Sequence, residues 1–100
     1  NNILFSSFNW DELRDLRDLD SQIKIALITK EDPILAITPA LNLNAVAINP
    51  SYKSLNKKNT SEIYKTGLKI YTWTVNNKAQ IKRMKELGVH GIMTDFPEKI

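Results

Sequence analysis

One hundred residues, 42% apolar and 25% charged, make an ordinary folded domain with a modest core. The absence of cysteine excludes disulfides, zinc–cysteine sites and thiol nucleophiles while leaving the compartment open, and no apolar run approaches the roughly 20 residues of a membrane-spanning helix. A net charge of +3 is mild. Lys57, Lys58, Lys78, Lys82, Arg83 and Lys85, which supply most of the local positive charge, alternate with polar and acidic neighbours and lack interleaved aromatics, so they read as solvated helix faces and not as a nucleic-acid surface.

The chain opens on Asn1 and not Met, as a processed, trimmed or excised chain does, and no signal-peptide pattern is visible. Ile3-Leu4-Phe5 begins a first short strand, predicted near 3–7, and Phe8 follows it. Asn9 is a good helix cap with Glu12 three residues on, as in a capping box, and Leu13, Leu16 and Leu19 recur at helical spacing among charges. The β-branched run Ile23 to Ile28 predicts a second strand over 23–29. Asp32-Pro33 opens a helix that Pro39 limits to a few turns. Ala45 to Ile48 predicts a third strand over 45–49, ended by Asn49-Pro50. Asn59 and Glu62 form a second possible capping box, with Gly67 as a stop. Residues 69–75 read as a fourth strand, in which Tyr71, Trp73 and Val75 share one face and Ile70, Thr72 and Thr74 the other. Asn77 and Gln80 form a third box, Gly88 ends that helix, and 91–94 is a fifth strand before Asp95-Phe96-Pro97, a further cap.

Alternating strands and helices predict parallel βα units, and short apolar strands without clean alternation suit a sheet covered on both faces. Five strands and about four helices fit either an open parallel sheet or just over half of an eightfold barrel of roughly 250 residues. Only Gly67, Gly88 and Gly91 are present, and none makes a phosphate-cradling loop, which argues against a nucleotide-binding open sheet.

The segment Gly67 to Pro97, "GLKIYTWTVNNKAQIKRMKELGVHGIMTDFP", resembles the C-terminal signature of glycerophosphodiester phosphodiesterases, with its Trp-Thr-Val-Asn strand, a helix, and a Gly-Ile-x-Thr-Asp-x-Pro strand and turn. "SSFNWDELRDLR" resembles the family's Ser-Phe-Asp strand end and following helix, and "AVAINP" a later strand. The likeness spans nearly the whole chain and is weakest from Glu31 to Leu43. It implies a TIM barrel, with residues 1–100 supplying its fourth to eighth strands as a C-terminal segment of one domain. The family's His-Arg, Glu-x-Asp and Glu-x-Lys motifs, which carry acid/base chemistry and the metal carboxylates, have no counterpart here.

The sole histidine, His90, replaces the family's usual Asp before the last strand, on the face opposite the active sites of such barrels, and reads as a surface or packing residue. Asp95 reads as a helix cap. Ser6 and Ser7 lack elbow glycines and a histidine partner, so a strand-end lining role replaces a nucleophile reading. Phe8 and Trp73 on residue type alone are core aromatics, but the resemblance puts Trp73 at the barrel mouth beside the substrate. Asn49 and Asn76 end strands on the same side, with turn and cap as their structural readings. The expected substrate-lining set is therefore Trp73, Phe8, Ser7, Asn49 and Asn76, with no catalytic or metal residue in this chain.

The resemblance implies metal-dependent hydrolysis of glycerophosphodiesters to an alcohol and glycerol 3-phosphate. A divalent cation, Mg or Ca, would be held by ligands outside this chain, and catalytic residues are expected upstream. The expected partners are the substrate and the N-terminal half of the barrel, or another chain covering the open sheet edges. The alternatives are a non-catalytic half-barrel module that pairs with another chain, and a polyanion-binding domain whose affinity falls steeply with salt.

Overall fold

The computed structural model describes residues 4–95; Ile3 and the Phe96-Pro97 turn of the sequence reading lie outside them. Five strands, β1 (Leu4–Ser7), β2 (Lys24–Thr29), β3 (Ala47–Pro50), β4 (Lys69–Thr72) and β5 (Gly91–Ile92), form one sheet in sequence order. All four neighbouring pairs are parallel, as the alternation of apolar runs and helix caps predicts. Between them lie α1 (Trp10–Leu19), α2 (Ile37–Asn42), α3 (Lys57–Lys65) and α4 (Lys78–Leu87).

The helices start where short polar side chains satisfy orphan N–H groups. Asn9 Oδ1 accepts the N–H groups of Asp11 and Glu12 at 3.1 and 3.3 Å. The return arm of this cap runs through Ser7: Asn9 N–H donates to Ser7 Oγ at 2.9 Å, and Ser7 Oγ donates to Glu12 Oε2 at 3.4 Å. Asn77 Oδ1 accepts from Ala79 and Gln80, and Gly88, at φ 77°, closes α4 in the left-handed region. The expected Asn59–Glu62 box is displaced by one turn. Asn56 is the cap, and Asn56 and Asn59 exchange side-chain-to-backbone bonds of 2.8 and 2.9 Å. An asparagine oxygen at the third helical position reaches back as Glu or Gln usually does. Asp32-Pro33 opens a 3₁₀ turn, Pro33–Ala36, which runs into α2; Pro39 lies in the first turn of α2, where its missing N–H is tolerated.

Strand parity sorts the sheet into two faces. Ile25, Leu27, Ile48 and Ile70 are fully buried in one cluster with Leu13 of α1, Ala40 of α2, Ile63 of α3, and Ile81 and Met84 of α4. All four helices thus cover the same face, as right-handed crossovers between adjacent parallel strands require. The opposite face carries Ala26, Ile28, Ala47, Asn49, Lys69, Tyr71 and Trp73.

The fourth strand is shorter than predicted. Its ladder stops at Thr72, with a single bridge beyond it between Ser51 and Trp73. Pro50 has no N–H to give, and side chains take over: Thr72 Oγ1 donates to Pro50 O at 2.9 Å and Trp73 Nε1 to Asn49 O at 2.8 Å. Val75 does not share a face with Tyr71 and Trp73 as simple alternation predicts. The chain turns after Trp73, and Val75 is fully buried in the helix-side cluster. The fifth strand likewise ends at Ile92, although Met93 N–H still bonds Thr72 O at 2.8 Å.

Among the described residues β1 pairs only with β2, and β5 only with β4. Leu4, Phe5 and Met93 are 42%, 39% and 43% exposed along these two edges. No helix among the described residues is long and apolar enough to cross a membrane.

Candidate functional site

In parallel βα architectures, side chains just past the C-terminal ends of the strands face the site. Here that rim holds Phe8 after β1, Lys30 after β2, Ser51 after β3 and Trp73 after β4. Phe8 and Trp73 meet edge to face, with ring centroids 5.8 Å apart. Phe8 is 52% exposed and Trp73 half-buried, so neither is a core aromatic.

Trp73 is fixed by its only polar atom. Its indole N–H is spent on Asn49 O, which leaves the ring faces as its contribution to the rim. Asn49 lies directly across the sheet from Ile28 on the open face. It is only 5% exposed, yet its Oδ1 has no hydrogen-bond partner among the described residues. Leaving a buried acceptor unpaired costs about 1–3 kcal/mol, a cost that native folds retain mainly at functional sites or offset with water.

The remaining two expected lining residues serve the scaffold. Asn76 ties the loop after β4 to the loop after β5. Its Oδ1 accepts from Thr94 Oγ1 and Asp95 N at 3.0 and 2.9 Å, and its Nδ2 donates to Asp95 Oδ2 at 3.0 Å. The Asp95 carboxylate is thereby held against Asn76. Ser7 carries the return arm of the α1 cap, and its register with Leu27 puts it on the helix-covered face. Ser6, opposite Ala26, is the serine that shares the open face with Asn49.

Lys30 carries little signal in the sequence, because "KEDP" looks like an ordinary charged loop. Its Nζ stands 5.4 Å from the centre of the Phe8 ring, and alternation from Ala26 and Ile28 would have placed it on the open face. Trp10 holds the scaffold beneath the rim. Its indole N–H donates to Ile28 O at 3.1 Å and anchors the start of α1 to the end of β2.

His90 lies at the opposite end of the sheet, before β5. Its Nδ1 accepts the N–H of Ile70 at 3.2 Å, and its ring packs edge to face on Tyr64, centroids 5.2 Å apart. It is a packing residue, remote from the rim. Among the described residues no group of three or more His, Asp or Glu side chains is placed to hold a metal ion by itself.

The sequence matches the glycerophosphoryl diester phosphodiesterase family over residues 1–99. A glycerophosphodiester phosphodiesterase of Caldanaerobacter subterraneus is 33% identical over 98 residues, which are 98% of this chain and 40% of that protein. One of Bacillus subtilis is 28% identical over 100 residues, covering 96% of this chain and 34% of that protein. The fold is similar to that of a phosphodiesterase from Oleispira antarctica solved with the product sn-glycerol-3-phosphate. The TM-score is 0.88 at 23% identity, over 97% of this chain and 39% of the other. The chain thus spans about two fifths or less of the length of these relatives. A five-stranded parallel sheet with helices on one face is part of an α/β barrel, and this chain belongs to the glycerophosphoryl diester phosphodiesterase family.

Proposed function

We propose that this chain forms one wall of a glycerophosphodiester phosphodiesterase, an enzyme that hydrolyses glycerophosphodiesters to an alcohol and glycerol 3-phosphate. The observation that carries this reading is the Phe8–Trp73 pair, one ring exposed and the other half-buried, held edge to face at the C-terminal rim of a barrel sheet of this family. Flat, rigid rings there shape a pocket around carbon atoms of the substrate without entering acid/base chemistry. In this reading Trp73 and Phe8 line the substrate, Asn49 offers an acceptor beside them, and Ser7 and Asn76 hold the loops that frame them. The groups that move protons, and the ligands of a divalent cation, belong to parts of the barrel other than these five strands.

The test compares two proteins. The complete barrel that carries this chain is expected to release glycerol 3-phosphate from glycerophosphodiesters, and a chelator should abolish turnover. The 100 residues alone, given glycerophosphocholine and magnesium or calcium, should release none. Chelator-sensitive turnover by the isolated chain would defeat the division of labour. An inert complete barrel would favour the non-catalytic half-barrel instead.

A further inference from the structure

The Phe8–Trp73 pair looks, taken alone, like half of an aromatic cage for a quaternary ammonium. Its electrostatic surroundings point the other way. Lys30 already stands over the Phe8 ring, so the face that would attract a cationic headgroup faces a cation of the chain itself. Lys30 also lines a hollow of about 440 Å³ together with Ser51, Tyr52, Lys53, Trp73 and Thr74. That volume is in the range of small-molecule sites, roughly 300–1,000 Å³. No carboxylate lines this hollow among the described residues. The acidic groups of the rim lie outside it: Glu12 is bonded by Ser7, Asp95 by Asn76, and Glu31 lines the neighbouring hollow, which Lys30 shares, beside Phe8 and Leu35. Neither Lys30 nor Lys53 forms an ion pair among the described residues, where the ion pair is Lys65 with Glu62.

We infer that the Lys30–Lys53 side of the rim reads the charge of the substrate's alcohol, favouring diesters of neutral or anionic polyols over those of choline or ethanolamine. The inference rests on the phosphodiesterase reading and adds a substrate class to it. The selection is electrostatic: both lysines remain solvated, so each contributes a small increment that salt screens. Ser51 and Thr74 add hydroxyl groups suited to a polyol and give nothing to a trimethylammonium.

The experiment measures kcat/KM of the complete barrel for glycerophosphoglycerol, glycerophosphoinositol and glycerophosphocholine. The polyol diesters should lead by roughly fivefold at low salt, chiefly through KM, and the ratio should shrink at high salt. Lys30→Gln combined with Lys53→Gln should bring the ratio close to one. Lys30→Arg should preserve it, and Lys30→Glu should favour glycerophosphocholine. An active enzyme that prefers glycerophosphocholine, or whose ratio ignores these substitutions, overturns the charge selection and leaves the phosphodiesterase reading standing. Absence of turnover with all three diesters removes both.

Discussion

The two ends of this sheet use similar residues in opposite ways. At the end where the strands start, every aromatic and imidazole group has a local partner. His90 takes the Ile70 N–H, the Tyr64 hydroxyl donates to Gly88 O, and the Tyr71 ring lies against the bare Cα of Gly91. At the C-terminal end, Phe8 is more than half exposed, Lys30 lacks a carboxylate partner, and Asn49 keeps a buried oxygen with no donor. Saturated contacts belong to an end that holds the fold together. In the proposed function, unspent ones belong to the end that meets substrate. This is the division expected of α/β barrels, reached here from hydrogen bonds and exposure.

The strongest way to break the comparison is Trp73→Ala in the complete barrel. If the rim positions substrate, kcat/KM should fall about a hundredfold, the scale of a misplaced reacting group. Because Trp73 is half-buried, the stability loss should stay below the roughly 3–5 kcal/mol of a fully buried Trp truncation. Melting and kinetics on the same protein separate the two roles. A large melting loss with normal activity per folded molecule would return Trp73 to the core.

The mirror experiment is Gly91→Ala. A Cβ there would lie 2.5 Å from Cδ1 of Tyr71, so the ring or the strand has to move. We expect a loss of about 1–3 kcal/mol in stability with kcat unchanged. An unchanged melting temperature would show that Tyr71 is free to swing away and that this end is looser than its contacts imply.

Much of this was legible in the sequence because it is local. Brief β-branched runs specify strands whether or not their neighbours are known, and Asn9, Asn77 and Gly88 announce helix ends by their own chemistry. The failures share a cause, which is that the deciding partner is distant in sequence. Val75 continues an apolar alternation on paper, but its backbone N–H bonds Met93 O and draws it to the helix side. Asn59 with Glu62 fits the usual box, whereas Asn59 also donates to Ser54 O and belongs to an earlier cap at Asn56. Asn76 reads as a strand end facing a site, and only the return of β5 beside it reveals a clamp. Trp73 is placed at the mouth only by the family resemblance, since a strand-end aromatic has the same composition in a core and in a mouth. Lys30 had a usable signal in the two-residue period of β2, obscured by the charges around it.

The smallest expected effect sharpens the saturated end. Tyr64 is partly buried between α3 and α4, and its hydroxyl donates to Gly88 O at the helix cap. Burial raises its pKa above the usual 10.0, because the phenolate loses more solvation than the phenol. Below pH 10 the phenol keeps its proton in both the folded and unfolded chain, and its contribution to stability does not vary. As pH rises past 10, the unfolded chain deprotonates first. The folded state then holds more protons than the unfolded one, and stability falls until the raised folded value is passed. Tyr64→Phe should therefore cost about 1 kcal/mol at neutral pH, the worth of one hydrogen bond. That cost should shrink as pH climbs above 10, since the variant has no proton to lose at this position. Denaturant titrations of both proteins from pH 7 to 11 measure the difference directly, with the other tyrosines and the lysines common to both. A cost that stays constant across this range would mean that the hydroxyl is solvated and that Tyr64 contributes to this end through its ring alone.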